Sequence, residues 1–309
     1  MNYEVRLDIR GNIAWIIIPK FESNTNSIFQ MASSFQLICQ KTAQDASIRV
    51  AVITGTENEF FISTEGSPIV GPEASTKREI NAIRRLVSEA QIAQTIANME
   101  IPILAAINGA AIGQGVEIAL ACDIRLASAN SKFQLPQINS GFLPWDGGTQ
   151  RLPRIIGRSQ AIELLLTGRE IDAQEALTIS LIHQVVPQNQ LLTQIQNVAE
   201  IISERAAIAT RYAKEAILKG MDLPLEAGLR LETDLNLLLH GTSDRNEGIN
   251  SFLDFTDFFL TAGSRINSFV KEAAIITDDH PLLEFSPVTL LSPLKWQVDE
   301  TFINLLKNR

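Results

Sequence analysis

Residues 101–123 read IPILAAINGAAIGQGVEIALACD. An apolar run, PILAAI at 102–107, has the length and composition of a strand buried on both faces. It closes at Asn108-Gly109 and passes through a turn of small residues, 108–115, into an apolar helix. Small residues let a ligand approach the backbone closely. The first N–H groups of the helix have no partner one turn back, and the dipole is positive there. A carbonyl oxygen gathering negative charge is stabilised at such a place. Glu117 stands three residues after Gln114, about one helical turn, so its carboxylate can serve the ligand that the Gln114 N–H holds. Oxyanion stabilisation beside a carboxylate suits enolate chemistry. A simpler reading is that the glycines only permit tight strand-helix packing; a lone GxG is a weak signal.

Strands and helices alternate around this stretch. Residues 4–9 read as an edge strand, and 13–18 as its partner after the Gly11-Asn12 turn. Apolar spacing makes 27–45 a helix and VAVIT at 50–54 a short buried strand. Residues 58–67 read as a loop and 77–99 as one long amphipathic helix. Helical patterns dominate 161–207 and 211–239. From about 255 the chain becomes rich in Phe, Leu and Pro. The order predicts an α/β class.

Hydrophobic residues make up 45% and charged residues 20% of the 309, enough for a sizeable core without disulfide or metal staples. Cys39 and Cys122 both sit in apolar stretches and read as buried thiols. A net charge of −9 argues against nucleic acid. Asn108, Gln114 and Glu117 interrupt the longest apolar tract, against a membrane span. The opening residues lack a hydrophobic signal core, so a soluble cytoplasmic protein is expected. His183, His240 and His280 match no metal spacing and no GxSxG elbow is present, so no metal or serine triad is expected.

NGAAIGQGVEIALACDIRLAS at 108–128 resembles the signature of the crotonase (enoyl-CoA hydratase/isomerase) superfamily. FQLPQINSGF, GGTQRLPRIIG, LLTG and LIHQVVP follow in the family's order between 133 and 187. The resemblance covers about residues 4–254. It implies a ββα spiral core over 1–200, a helical region over 201–254 that mediates trimers or hexamers, and an extension over 255–309 of unassigned role. It also implies an acyl-CoA or acyl-carrier-protein substrate, with coenzyme A as part of the substrate and no permanently bound cofactor.

The resemblance makes Gln114 one oxyanion donor and Glu65 the other, both through backbone N–H, with Ile62 and Gly113 lining the substrate. Glu65 is an unusual residue there, because a carboxylate pointing at a developing anion repels it. Glu117 matches the first of the two glutamates that family hydratases use; the second position falls on Gln137. An amide neither takes nor gives a proton, so Gln137 is read as an orienting hydrogen-bond partner or a loop anchor. Asp146, in LPWDGG at 143–148, stands where relatives with unusual chemistry place a working aspartate. It is the candidate second proton-handling or water-orienting group, or else a helix cap. Trp145 is a candidate aromatic wall for a cyclic or conjugated acyl group, or a core residue. Lys20 is a candidate phosphate contact, whereas Asp254 and Asp257 stand where basic residues often follow. These readings converge on a hydratase or isomerase acting on an enoyl thioester, conjugated or alicyclic. The alternatives are a C–C bond hydrolase or decarboxylase of the same superfamily, or an inactive binding or assembly subunit.

Overall fold

A computed structural model describes residues 4–20, 25–63 and 77–242. Strands β1 (Arg6–Arg10) and β2 (Ile13–Ile18) form an antiparallel hairpin closed by Gly11 at φ 59°. Helix α1 (Thr25–Gln44) leads to β3 (Val50–Gly55) and β4 (Glu59–Ile62). Helices α2 (Lys77–Glu89) and α3 (Ile92–Ala97) follow, then β5 (Ile103–Ile107), β6 (Ala110–Ile112) and α4 (Gln114–Ala121). The next turn contains β7 (Ile124–Ser128), β8 (Lys132–Gln134) and a 3-10 turn, Pro136–Ser140. Beyond it come α5 (Gly148–Ile156), α6 (Arg158–Thr167), β9 (Ile171–Asp172), α7 (Ala173–Thr178), β10 (Gln184–Val186) and α8 (Leu191–Ser203). The helices α9 (Ala207–Gly220) and α10 (Leu225–Leu239) finish the described chain.

Each turn of the spiral gives one strand to each of two sheets. The larger runs β1-β2-β3-β5-β7-β10 and the smaller β4-β6-β8-β9. Every pairing is parallel except β1 with β2 and β8 with β9. Side chains alternate across the larger sheet, as a strand of period two requires. Ala14, Ile16, Ile53 and Ala105 join the main core on one face, while Trp15, Val52 and Leu104 meet Leu191, Ile195 and Ala199 of α8 on the other. Burial on both faces explains why these strands read as continuous apolar runs. The expected ββα spiral with a helical region after it is what the chain forms.

Three local expectations are corrected. The loop expected over 58–67 contains β4, and the turn expected over 108–115 contains β6. Both strands are too short to show a period. The single helix expected over 77–99 breaks near Ala90-Gln91 into α2 and α3. Asp254 and the extension over 255–309, with Asp257 and His280, lie outside the described residues. Among the described residues no helix is long and apolar enough to cross a membrane.

Candidate active site

The site begins where β6 meets α4. Gly113, at φ 61° and ψ −119°, turns the chain there. A Cβ on it would lie 1.9 Å from the Ser63 carbonyl oxygen, and one on Gly115 2.0 Å from that of Phe61. Only glycine lets the end of β4 press this closely on the start of α4. The Gly113 N–H is spent on Gln134 O at 2.8 Å, but no turn, cap or loop carbonyl among the described residues accepts from the Gln114 N–H. Gln114 thus presents a free donor at the positive end of a helix buried along all eight of its residues.

Glu117 sits one turn further on and is 0% exposed. Its Oε1 accepts from two main-chain N–H groups, Asp146 at 2.7 Å and Gly148 at 2.8 Å. Its Oε2 has no hydrogen-bond partner among the described residues. One oxygen is therefore fixed and the other unpartnered among the described residues. Gly148 is close because it lacks a side chain; a Cβ there would stand 3.1 Å from Oε1. Burial, followed by the charge of Asp146, pushes the Glu117 carboxyl up to about 8, against the pull of the two N–H groups and Arg151. A carboxyl raised toward neutrality in this way can both give and take a proton.

Asp146 is held differently. Its Oδ2 accepts from Ala93 N at 2.7 Å and Gln114 Nε2 at 2.8 Å, and its Oδ1 from Gln94 N at 3.1 Å. The carboxylate thus caps the N-terminus of α3, where the expected long helix breaks. Burial raises its proton affinity, while the Gln114 amide and the two α3 N–H groups oppose that rise. Of the two roles expected for Asp146, a proton-handling group or a helix cap, its contacts are those of a cap, with two donors on Oδ2 and one on Oδ1. The cap is on α3, not on the helix that follows Asp146 in sequence.

Gln137, on the 3-10 turn, is 2% exposed, and neither amide atom has a partner among the described residues. Its Nε2 lies 3.7 Å from where a Gly113 Cβ would stand, which sets the amide beside the start of α4. Ile62 ends β4 in register with Ile112. Trp145 is half-buried against the main core, and its carbonyl accepts from Gln91 Nε2 at 3.2 Å. Glu65, the other expected oxyanion donor, lies outside the described residues. Lys20 is exposed and paired with Glu59 at 3.4 Å and Glu57 at 3.6 Å, so a phosphate would have to compete with two carboxylates. His183 Nδ1 accepts from Arg125 N far along the chain from Glu117, and His240 ends α10. Both cysteines are buried thiols pushed up to about 12 by burial. No group of three or more His, Cys, Asp or Glu among the described residues could hold a metal ion.

The sequence pattern missed two participants. Nothing in it singled out the main-chain N–H groups of Asp146 and Gly148 as the anchors of Glu117. Nor did it show that the Gln114 side chain meets Asp146, because the break that exposes α3 carries neither glycine nor proline.

A spiral of ββα turns thus sets a helix-start amide and a buried, half-anchored carboxylate on one helix. The chain belongs to the enoyl-CoA hydratase/isomerase family, whose profile matches residues 15–260. It is 35% identical over 249 residues to the (E)-benzylidenesuccinyl-CoA hydratase of Thauera aromatica, covering 80% of this chain and 95% of that one. It is 30% identical over 255 residues to the short-chain-enoyl-CoA hydratase of Clostridium acetobutylicum, covering 81% and 94%. The crystal structure of enoyl-CoA hydratase from Bacillus anthracis superposes with a TM-score of 0.70 at 30% identity, over 81% of this chain and 96% of that one.

Proposed function

We propose that the chain acts on an enoyl-CoA thioester whose carbonyl oxygen lies between the N–H groups of Gln114 and Glu65, with Glu117 as its one acid/base. The observation that carries this reading is the state of Glu117: buried, fixed through Oε1, and unpartnered at Oε2. The reaction that needs no second ionisable group is a shift of the C=C bond. Glu117 takes a proton from C2 of a 3-enoyl thioester, the dienolate places its charge on the thioester oxygen, and the same carboxyl returns a proton at C4. The backbone N–H groups hold the oxyanion, and Gln137 supplies a neutral donor and acceptor beside it. Coenzyme A enters as part of the substrate.

Hydration is the second reading, favoured by the hydratase names of both relatives and by the open amide of Gln137, which can hold a water molecule. The benzylidene relative and the position of Trp145 favour a conjugated or bulky acyl group. Incubating the full chain with 3-hexenoyl-CoA and with crotonyl-CoA, and identifying products by mass and NMR, separates the two. Glu117→Gln is expected to lower either rate by about 10²–10⁴-fold; wild-type-like turnover in that variant overturns the reading. Self-association through α9 and α10, as a trimer or a dimer of trimers, belongs to the same proposal.

A further inference from the structure

We propose that Gln114 and Asp146 form a buried clamp that sets the first turn of α4 against the Glu117 carboxylate, so that both side chains are positioning residues for proton transfer. The proposal rests on the roles given above to the Gln114 N–H and to Glu117.

The hydrogen bonds around the clamp leave little slack. The Gln114 amide has two hydrogens; one goes to Ala90 O at 3.0 Å and the other to Asp146 Oδ2 at 2.8 Å. Ala90 lies at the end of α2 and Asp146 caps α3, so the amide sits across the break between those helices. Asp146 in turn uses its main chain on the other half of the site, because its N–H is 2.7 Å from Glu117 Oε1. Its carbonyl accepts from Arg151 Nη1 at 2.8 Å, and Arg151 Nη2 reaches Gln94 Oε1 at 2.9 Å, closing the link from α5 to α3. The backbone that offers the oxyanion donor and the backbone that anchors the acid are thereby joined through one side-chain contact.

A carboxylate suits this place for a simple reason. Three donors converge on Asp146, and an ionised carboxylate offers only acceptors. Asparagine would turn an NH₂ against at least one of them. An apolar residue would leave the Ala93 and Gln94 N–H groups buried and unpaired. Each oxygen of Asp146 already accepts at least one of these donors, Oδ2 two and Oδ1 one.

Charge gives the clamp a separate signature. The charged groups acting on Glu117 are Asp146 and Arg151. Helix α3 and strand β6 carry no ionisable side chain, and β4 carries only Glu59 at its far end, paired with Lys20. Removing the charge of Asp146 must lower the proton affinity of Glu117, whereas removing the Gln114 amide leaves that charge in place.

The test follows deuterium entering C2 of butyryl-CoA in D₂O, by NMR, across pD. Exchange needs only the oxyanion donors and one base. The full chain is compared with Gln114→Met, Asp146→Asn and the double variant. Each single variant is expected to lose about 10–10²-fold in kcat with KM near wild type, as misplacement of reacting groups does. The double variant is expected to lose clearly less than the product of the two single losses, because the changes share the Gln114–Asp146 contact. The pD midpoint should fall in Asp146→Asn and stay put in Gln114→Met. Losses that multiply in the double variant, or an Asp146→Asn loss equal to that of Glu117→Gln, overturn the clamp. If Asp146→Asn does not fold, Gln114→Met decides alone, and a wild-type rate in it overturns the clamp. No exchange in the wild-type chain, or full exchange in Glu117→Gln, overturns the underlying reading instead.

Discussion

Helix α4 buries every one of its eight residues, whereas α9, with fourteen, buries none. Composition separates them in part, since α9 carries Arg211, Lys214, Glu215 and Lys219 and α4 only Glu117. Position does the rest. Helix α4 is wedged between α3, α5 and the smaller sheet, and its first turn carries the candidate oxyanion donor and Glu117. Helix α9 packs mainly on α10 and turns Ile217, Leu218 and the following Met221 outward. Leu225 and Leu229 of α10 are likewise exposed, Leu225 by 78%. A buried helix can hold an unpaired N–H and a protonated carboxyl away from water. The α9–α10 hairpin, by contrast, leaves several large apolar side chains open to solvent.

The contrast is sharpened most by Gly113→Ala. The new Cβ would meet a backbone oxygen at 1.9 Å, at a positive φ. We expect a loss of more than about 4 kcal/mol, read as insoluble protein or a collapsed thermal transition. A well-folded variant would show that the β6–α4 corner is looser than described.

Lys214→Met comes next. Its Nζ lies 2.8 Å from Asp123 Oδ2 and donates to Ile101 O at 2.9 Å, and Asp123 also accepts from Ile103 N at 2.7 Å. The lysine is 10% exposed and is a polar tether from α9 to Asp123 and Ile101. Leaving Asp123 short of its cation is expected to cost about 1–3 kcal/mol in denaturant unfolding, less than a fully buried pair because water reaches it. An unchanged midpoint would show that α9 is held by its apolar contacts alone.

The pH dependence of stability is a subtler probe of α4. The folded-state pKa of Glu117 is raised from the usual 4.5 to about 8. The native chain therefore keeps a proton that the unfolded chain releases between those values. The stabilisation is complete below about 4.5 and is lost as pH rises through about 8. Urea titrations over this range should show a decline that Glu117→Gln flattens; identical slopes would place the carboxyl in a wetter setting.

The smallest effect on the folded monomer is expected from Met221→Ser with Leu225→Ser. Both side chains are exposed, so unfolding of the monomer should change by under about 0.5 kcal/mol. If α9 and α10 meet other copies, mass measured by sedimentation should fall. An unchanged mass would assign the hairpin's apolar face elsewhere.

Much of this was legible from sequence, for identifiable reasons. The strands of the larger sheet are buried on both faces, so they appear as apolar runs. Glu117 could be found because a strand, a small-residue turn and a helix fix its spacing from the turn. The break between α2 and α3 was not legible. Residues 86–99 keep helical apolar spacing with no glycine or proline, and the cap comes from Asp146, 53 residues from Ala93. The resemblance offered Asp146 as a proton-handling group or as a cap on the helix after it, and the hidden helix end is why a cap on α3 was not foreseen. Strands β4 and β6, at four and three residues, were too short to show alternation.

The rate of deuterium entry at C2 of butyryl-CoA measures proton transfer by Glu117 directly. Wild-type chain should catalyse the exchange, and Glu117→Gln should slow it by about 10²–10⁴-fold while keeping its thermal transition. Exchange at the wild-type rate in a folded Glu117→Gln protein would contradict it.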